Sequence, residues 1–225
     1  MVDGKPMINI LYEDNHLLVV EKPINIPVQE DSSRDLDLLS ILKADLKKRY
    51  HKPGNVYLGL IHRLDRPVGG VMVFAKTSKA ASRLSEQVRT HQLKKEYHAV
   101  VLGKISATDH FVDKLYKDTK KNMVIVSDKG KESILDYELV SFKQGLSLVK
   151  INLKTGRSHQ IRVQFSSRNH PLYGDQRYNK ESKHGEQIAL FASSLSFFHP
   201  ITKEKLTFSL PLPKRKPWNL FENRK

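Results

Sequence analysis

The run His62-Arg63-Leu64-Asp65 leads through Arg66-Pro67-Val68-Gly69-Gly70 into the apolar stretch Val71-Met72-Val73-Phe74-Ala75. This context presents one carboxylate for chemistry. Pro67 pushes Arg66 out of helical backbone space, and the glycine pair allows backbone angles closed to other residues, so Asp65 is expected on a stiff loop entering a buried strand. An ordinary Asp-Arg-Pro surface turn would carry the same residues, since aspartate favours turns for reasons unrelated to catalysis. A second basic segment begins at Thr155-Gly156 and continues Arg157-Ser158-His159-Gln160-Ile161-Arg162. Ser158 is the expected N-cap of a helix on which Ile161 and Phe165 lie one turn apart and Arg162 occupies the first turns. Free amides and the helix dipole favour an anion there, phosphate or carboxylate, although an arginine snorkelling at the surface fits the same residues. The chain has no cysteine, which excludes disulfides, thiolate nucleophiles and cysteine metal sites. It has 10 histidines but no His-Glu-x-x-His run or comparable ligand spacing, so no metal is expected.

These residues need elements to hold them. Ile8-Asn9-Ile10-Leu11 and Leu17-Leu18-Val19-Val20 predict a short strand pair ending at Lys22-Pro23, the second strand fully buried. From Asp35 to about Tyr50, Leu38, Leu42 and Leu46 recur at four-residue spacing with Leu39 beside them, the apolar stripe of a helix. The closing Lys47-Lys48-Arg49 complements its dipole. Ser78 is the expected N-cap of a second helix that turns Ala81, Leu84 and Val88 inward. Strands are predicted over 97–102, 122–127, 134–142, 146–153, 188–198 and 205–210, and no 20–50-residue repeat is present.

Length and charge bound the function. A chain of 225 residues with 39% hydrophobic content can bury a substantial core, as one large domain or two coupled lobes. Its 39 Lys and Arg against 24 Asp and Glu give a net charge of +15, which suggests a polyanionic partner, nucleic acid first among them. Lys94-Lys95, Lys120-Lys121 and Lys214-Arg215-Lys216 read as solvated basic faces that can follow an RNA backbone collectively. Met1 to Asn9 lacks a long apolar core behind a basic start, and no run approaches the roughly 18 apolar residues of a membrane span. A cytoplasmic protein without membrane contact is expected.

Four segments then fall in a telling order: His62-Arg63-Leu64-Asp65, Lys95-Glu96-Tyr97-His98-Ala99, Thr155 to Arg162, and His170-Pro171-Leu172-Tyr173-Gly174-Asp175. In order and spacing they resemble the RluA-type family of RNA pseudouridine synthases. The resemblance runs from Ile10-Leu11-Tyr12-Glu13-Asp14 to Phe198-His199-Pro200 and Leu210-Pro211-Leu212-Pro213, nearly the whole chain. It implies an α+β pseudouridine synthase fold: a long, mostly antiparallel mixed sheet with flanking helices and a central active-site cleft. It also implies a single catalytic domain over residues 1–225, with no separate N-terminal RNA-binding module and no room for one before residue 8. A monomer acting on ribosomal or transfer RNA is expected.

The implied reaction detaches uracil from its ribose, turns it and rejoins it through carbon. Breaking the nucleosidic bond while keeping the base calls for a nucleophile, and Asp65 is the candidate, adding either to uracil position six or to the anomeric carbon. Neither route needs a metal or organic cofactor. The family motif assigns Arg162 to hold the Asp65 carboxylate ionised. It assigns Tyr97 to stack on the extruded base and help remove the proton from uracil position five. Arg63 resembles a residue that fills the gap left by the base, while His62, Arg157, His159 and Gln160 are expected on the RNA-facing wall or in loop support. Gly174-Asp175 resembles a structural turn and stays outside the catalytic set. Two departures stand out: Val68-Gly69-Gly70 replaces the usual Thr-Ser-Gly, removing two hydroxyls, and Gln164 stands where a histidine commonly follows Gln-Ile-Arg. The alternative is an inactive RNA-binding or ribosome-assembly protein on the same fold, against which an intact Asp65, Tyr97 and Arg162 argue.

Overall fold

The computed structural model describes residues 7–222; the first six residues of the Met1–Asn9 stretch lie outside that range. The chain forms two compact units, one from residues 1–93 and 194–210, the other from 94–193 and 211–225. The first opens with β1 (Asn9–Glu13), β2 (Leu17–Lys22), α1 (Leu38–Arg49), β3 (Gly59–Leu60), β4 (Gly69–Ala75) and α2 (Ser78–Arg89). The second follows with β5 (Lys94–Leu102), β6 (Thr108–Asp118), β7 (Met123–Val126), β8 (Lys131–Lys143), β9 (Leu146–Leu153), α3 (Gln160–Ser166) and the start of β10 (Leu190–Phe198). The end of β10 and β11 (Lys205–Ser209) return to the first unit.

In the first unit β2 pairs antiparallel with both β1 and β4, and β4 also takes β3. Leu17 to Val20 are fully buried as their uninterrupted apolar run predicts, and every residue of β4 is buried with them. A strand covered on both faces cannot alternate, which is why Val71-Met72-Val73-Phe74-Ala75 contains no polar residue. α1 buries Leu38, Ile41, Leu42 and Leu46, and Asp37 caps it by accepting from the Ser40 amide. The stripe of α2 meets Leu17, Val19, Val71, Val73, Leu195 and Phe197 in one cluster. Its cap is Thr77, whose hydroxyl accepts from the Ala80 amide, so Ser78 is the first helical residue and not the expected N-cap.

The second unit is an antiparallel run in the order β5, β9, β8, β6, β7. β6 has no counterpart among the sequence predictions. Five of its 11 residues are charged and only Phe111 and Leu115 are buried, so too little apolar alternation marks it. Phe165 of α3 packs against Phe111 and Tyr137 at ring separations of 5.1 and 5.3 Å, fixing the helix on that face of the strands. Ser158 does not cap α3. The N-cap position is His159 in left-handed backbone at φ 52°, and its side chain makes no capping bond. Among the described residues no helix is long and apolar enough to cross a membrane.

Candidate active site

Asp65 stands on the loop between β3 and β4, half-buried, as the Arg66-Pro67 and glycine pattern predicts. Its carbonyl accepts from the Val68 amide at 2.9 Å, closing the turn, and Gly70 takes φ 129°, a backbone angle that requires glycine. The loop is held from behind by Lys22. That side chain is 1% exposed, and its ammonium donates to the carbonyls of Pro23, Arg66 and Val68 at 2.9, 3.0 and 2.7 Å. Three acceptors match the three N–H bonds of an ammonium. Burial pushes the amine down to about 7, while the negative charge of Asp65 opposes that shift. Lys22 thus supports the loop through its backbone where Val68-Gly69-Gly70 lacks hydroxyls, and it supplies a positive charge to the field at Asp65. Arg66 points away to Ser33 and pairs with Asp35 at the surface. His62 is 8% exposed and its Nε2 accepts from the Val73 amide, which places it in loop support; Arg63 is exposed.

Tyr97 lies on β5 in the second unit, 6% exposed, in one cross-strand row with Ile151 and Tyr137. Arg162, on α3, is as deeply buried, and its Nε and Nη2 donate to the two oxygens of Asp175 at 2.9 and 2.7 Å. Asp175 is fully buried and also accepts from the amides of Arg177 and Tyr178. The face of the guanidinium lies 5.1 Å from the centre of the Tyr178 ring. The Tyr178 hydroxyl accepts from the Val124 amide at 3.0 Å and meets Nδ1 of His159 at 2.7 Å. The Tyr178 hydroxyl, which has one hydrogen and two lone pairs, thus links the backbone of β7 to the His159 ring. In this unit Arg162 is thus matched by a carboxylate, that of Asp175.

One expected wall residue, Gln160, is bonded into the α3 turn. Gln160 is 3% exposed; its amide oxygen accepts from Thr155 and the Arg157 amide, and its nitrogen donates to Ile134 and Gln164. Gln164 is fully buried and donates to Asp113 and the Ser133 carbonyl, a structural tie in the place of the family histidine. Arg157 remains exposed, with Nε donating to the Glu132 carbonyl.

A sequence model described as RNA pseudouridylate synthase matches residues 16–167. The chain belongs to the RNA pseudouridylate synthase family. As such a synthase it is 33% identical over 220 residues to ribosomal large subunit pseudouridine synthase D of Zymomonas mobilis, covering 92% of this chain and 69% of that protein. It is also 33% identical to ribosomal large subunit pseudouridine synthase C of Buchnera aphidicola, over 90% of this chain and 67% of that one. The solved structure of human RNA pseudouridylate synthase domain containing 4 superposes with a TM-score of 0.77 over 92% of this chain and 89% of that one, at 23% identity, a likeness of fold.

For an RNA pseudouridine synthase the instructive residues are those the sequence reading left out. Asp175 was set aside as part of a turn, yet it is the fully buried partner of Arg162. Tyr178 and Lys22 carried no chemical signal, although a lysine closing the apolar run Leu17 to Val20 is itself a hint that its ammonium is held. Lys95 departs from its reading as half of a solvated pair. It is half-buried, and burial pushes its amine below the ordinary lysine value, whereas Lys94 is exposed.

Proposed function

We propose that this pseudouridine synthase isomerises uridine in large-subunit ribosomal RNA, acting in the cytoplasm as a monomeric single catalytic domain without metal or organic cofactor. The observation that carries the substrate is the similarity to the two large-subunit ribosomal synthases above, which match this chain over 92% and 90% of its length. Asp65 is the nucleophile, on a loop whose backbone Lys22 holds. Tyr97 stacks on the extruded uracil and assists loss of the proton from position five. Arg162, fixed along one edge by Asp175 and across its face by Tyr178, is the cation that orients the carboxylate. Arg63, Arg157 and His159, all at least partly exposed, contact RNA; His62 and Gln160 shape the wall from within.

Release of tritium from ribosomal RNA labelled at uridine position five tests this reading. The parent protein is expected to release it, and Asp65→Asn, of nearly the same shape but without a nucleophilic carboxylate, is expected to fall to background with an unchanged melting temperature. Turnover by Asp65→Asn would remove the nucleophile assignment. A parent protein that binds RNA and releases no tritium from any cellular RNA would establish the assembly-protein alternative.

A further inference from the structure

A buried cation is normally matched: Lys76 meets Glu13 and the Asp14 carbonyl, Arg168 meets Asp113, Arg162 meets Asp175 and Lys22 meets three carbonyls. Lys95 breaks the pattern. Its amine is desolvated strongly enough to lose basicity, yet among the described residues it has no carboxylate or carbonyl partner. The adjacent acid, Glu96, projects from the opposite face of β5, where it pairs with Lys150. Lys95 instead shares a face with Tyr97, two residues on, about 7 Å along the strand. Its ammonium lies beside Gly156, where an added Cβ would come to 3.2 Å from Nζ. Arg157, the next residue, is exposed. The fold therefore holds an incompletely solvated positive charge on the face of β5 that also carries Tyr97, beside the Gly156 backbone.

We propose that Lys95 binds a backbone phosphate of the RNA beside the uridine that Tyr97 contacts. The choice of neighbour rests on the role assigned above to Tyr97. The phosphate supplies the missing counter-charge, so the cost of desolvating the ammonium is offset only in the complex.

The test measures binding of the Asp65→Asn protein to a transcript of large-subunit ribosomal RNA across a range of salt, with Lys95 intact or replaced. Lys95→Gln is expected to weaken binding about tenfold and to flatten the log–log salt slope by about 0.7 to 0.9, the signature of one lost phosphate contact. Lys95→Arg is expected to keep the slope. The melting temperature of free Lys95→Gln should equal or exceed that of the parent, because an unmatched buried charge is removed; a lysine serving the fold would lower it. An unchanged slope and affinity would overturn the proposal, as would a lower melting temperature with unchanged binding. If Lys95→Gln does not fold, acylation of the intact protein decides: RNA should protect Lys95, and equal labelling with and without RNA would refute the contact. None of these readouts requires turnover. A parent protein silent in tritium release, with Lys95 still counted in the slope, would cost the isomerisation reading and leave this one standing.

Discussion

Asp175, far from Asp65 in sequence, holds the cation proposed to orient the Asp65 carboxylate. Both its oxygens hold Arg162 in a buried, two-point pair, so removing the carboxylate leaves a guanidinium without its counter-charge. Asp175→Ala is expected to lose about 3–5 kcal/mol of stability in denaturant unfolding, and turnover at permissive temperature should fall with it. Lys22 gives a pH prediction. Its amine stands at about 7 in the fold against an ordinary 10.5, so between those values the unfolded chain binds the extra proton. Its charged form therefore disfavours folding at low pH, and its share of stability rises as pH climbs from about 7 to 10.5. Lys22→Met should abolish that rise in melting experiments. At Tyr97, phenylalanine keeps the ring and loses the hydroxyl, whereas leucine loses both; turnover by Tyr97→Phe equal to the parent would exclude the proton-removal role. Asp65 was legible as a candidate from its loop, and Tyr97 and Arg162 as candidates from the resemblance to the family motifs. Their holders were not, since Asp175 and Lys22 act through burial and backbone carbonyls that only the fold brings near.

At the scale of elements, legibility followed apolar content. β2, β4, α1 and α2 could be read because each carries an uninterrupted or helically spaced run of aliphatic residues. β6 escaped because its pairing with β8 is made by backbone bonds between mostly exposed residues, as in Lys114 opposite Glu132. The α3 start misled because Ser158 and the following turn have good capping chemistry, while the side chains that close the turn, Gln160 and Thr155, bond to each other across it. Elements also tune the site indirectly. Gly174 has φ 70°, and an added Cβ would lie 2.3 Å from the Gln187 carbonyl oxygen. Gly174→Ala must therefore shift the segment bearing Asp175, and it should reduce both melting temperature and tritium release while Asp175 itself is intact. Thr77→Ala is a contrasting control. It removes one cap and should cost about 1 kcal/mol in unfolding, with turnover at permissive temperature preserved.

At the scale of the whole molecule the net charge of +15 sets how the protein meets RNA. Affinity should fall steeply with salt, by about 0.7 log units per tenfold salt for each phosphate neutralised on single-stranded segments. Asp65→Asn should keep that slope, since on the proposed mechanism Asp65 meets the extruded uridine and not the RNA backbone; insensitivity to salt would refute the electrostatic reading of the composition. The path of the chain has a separate consequence. The first unit begins at the start of the sequence but is completed by residues 194–210, and its central cluster includes Leu195 and Phe197 beside Leu17, Val19, Val71 and Val73. During synthesis those first residues leave the ribosome long before their packing partners exist, while the intervening hundred residues can organise around their own strands. A nascent chain halted at Ser193 should therefore be cut readily by protease within residues 7–93, and protection there should arise abruptly once β10 and β11 emerge. The loop that carries Asp65 belongs to that first unit, so on the proposed mechanism activity should appear only near the completion of translation.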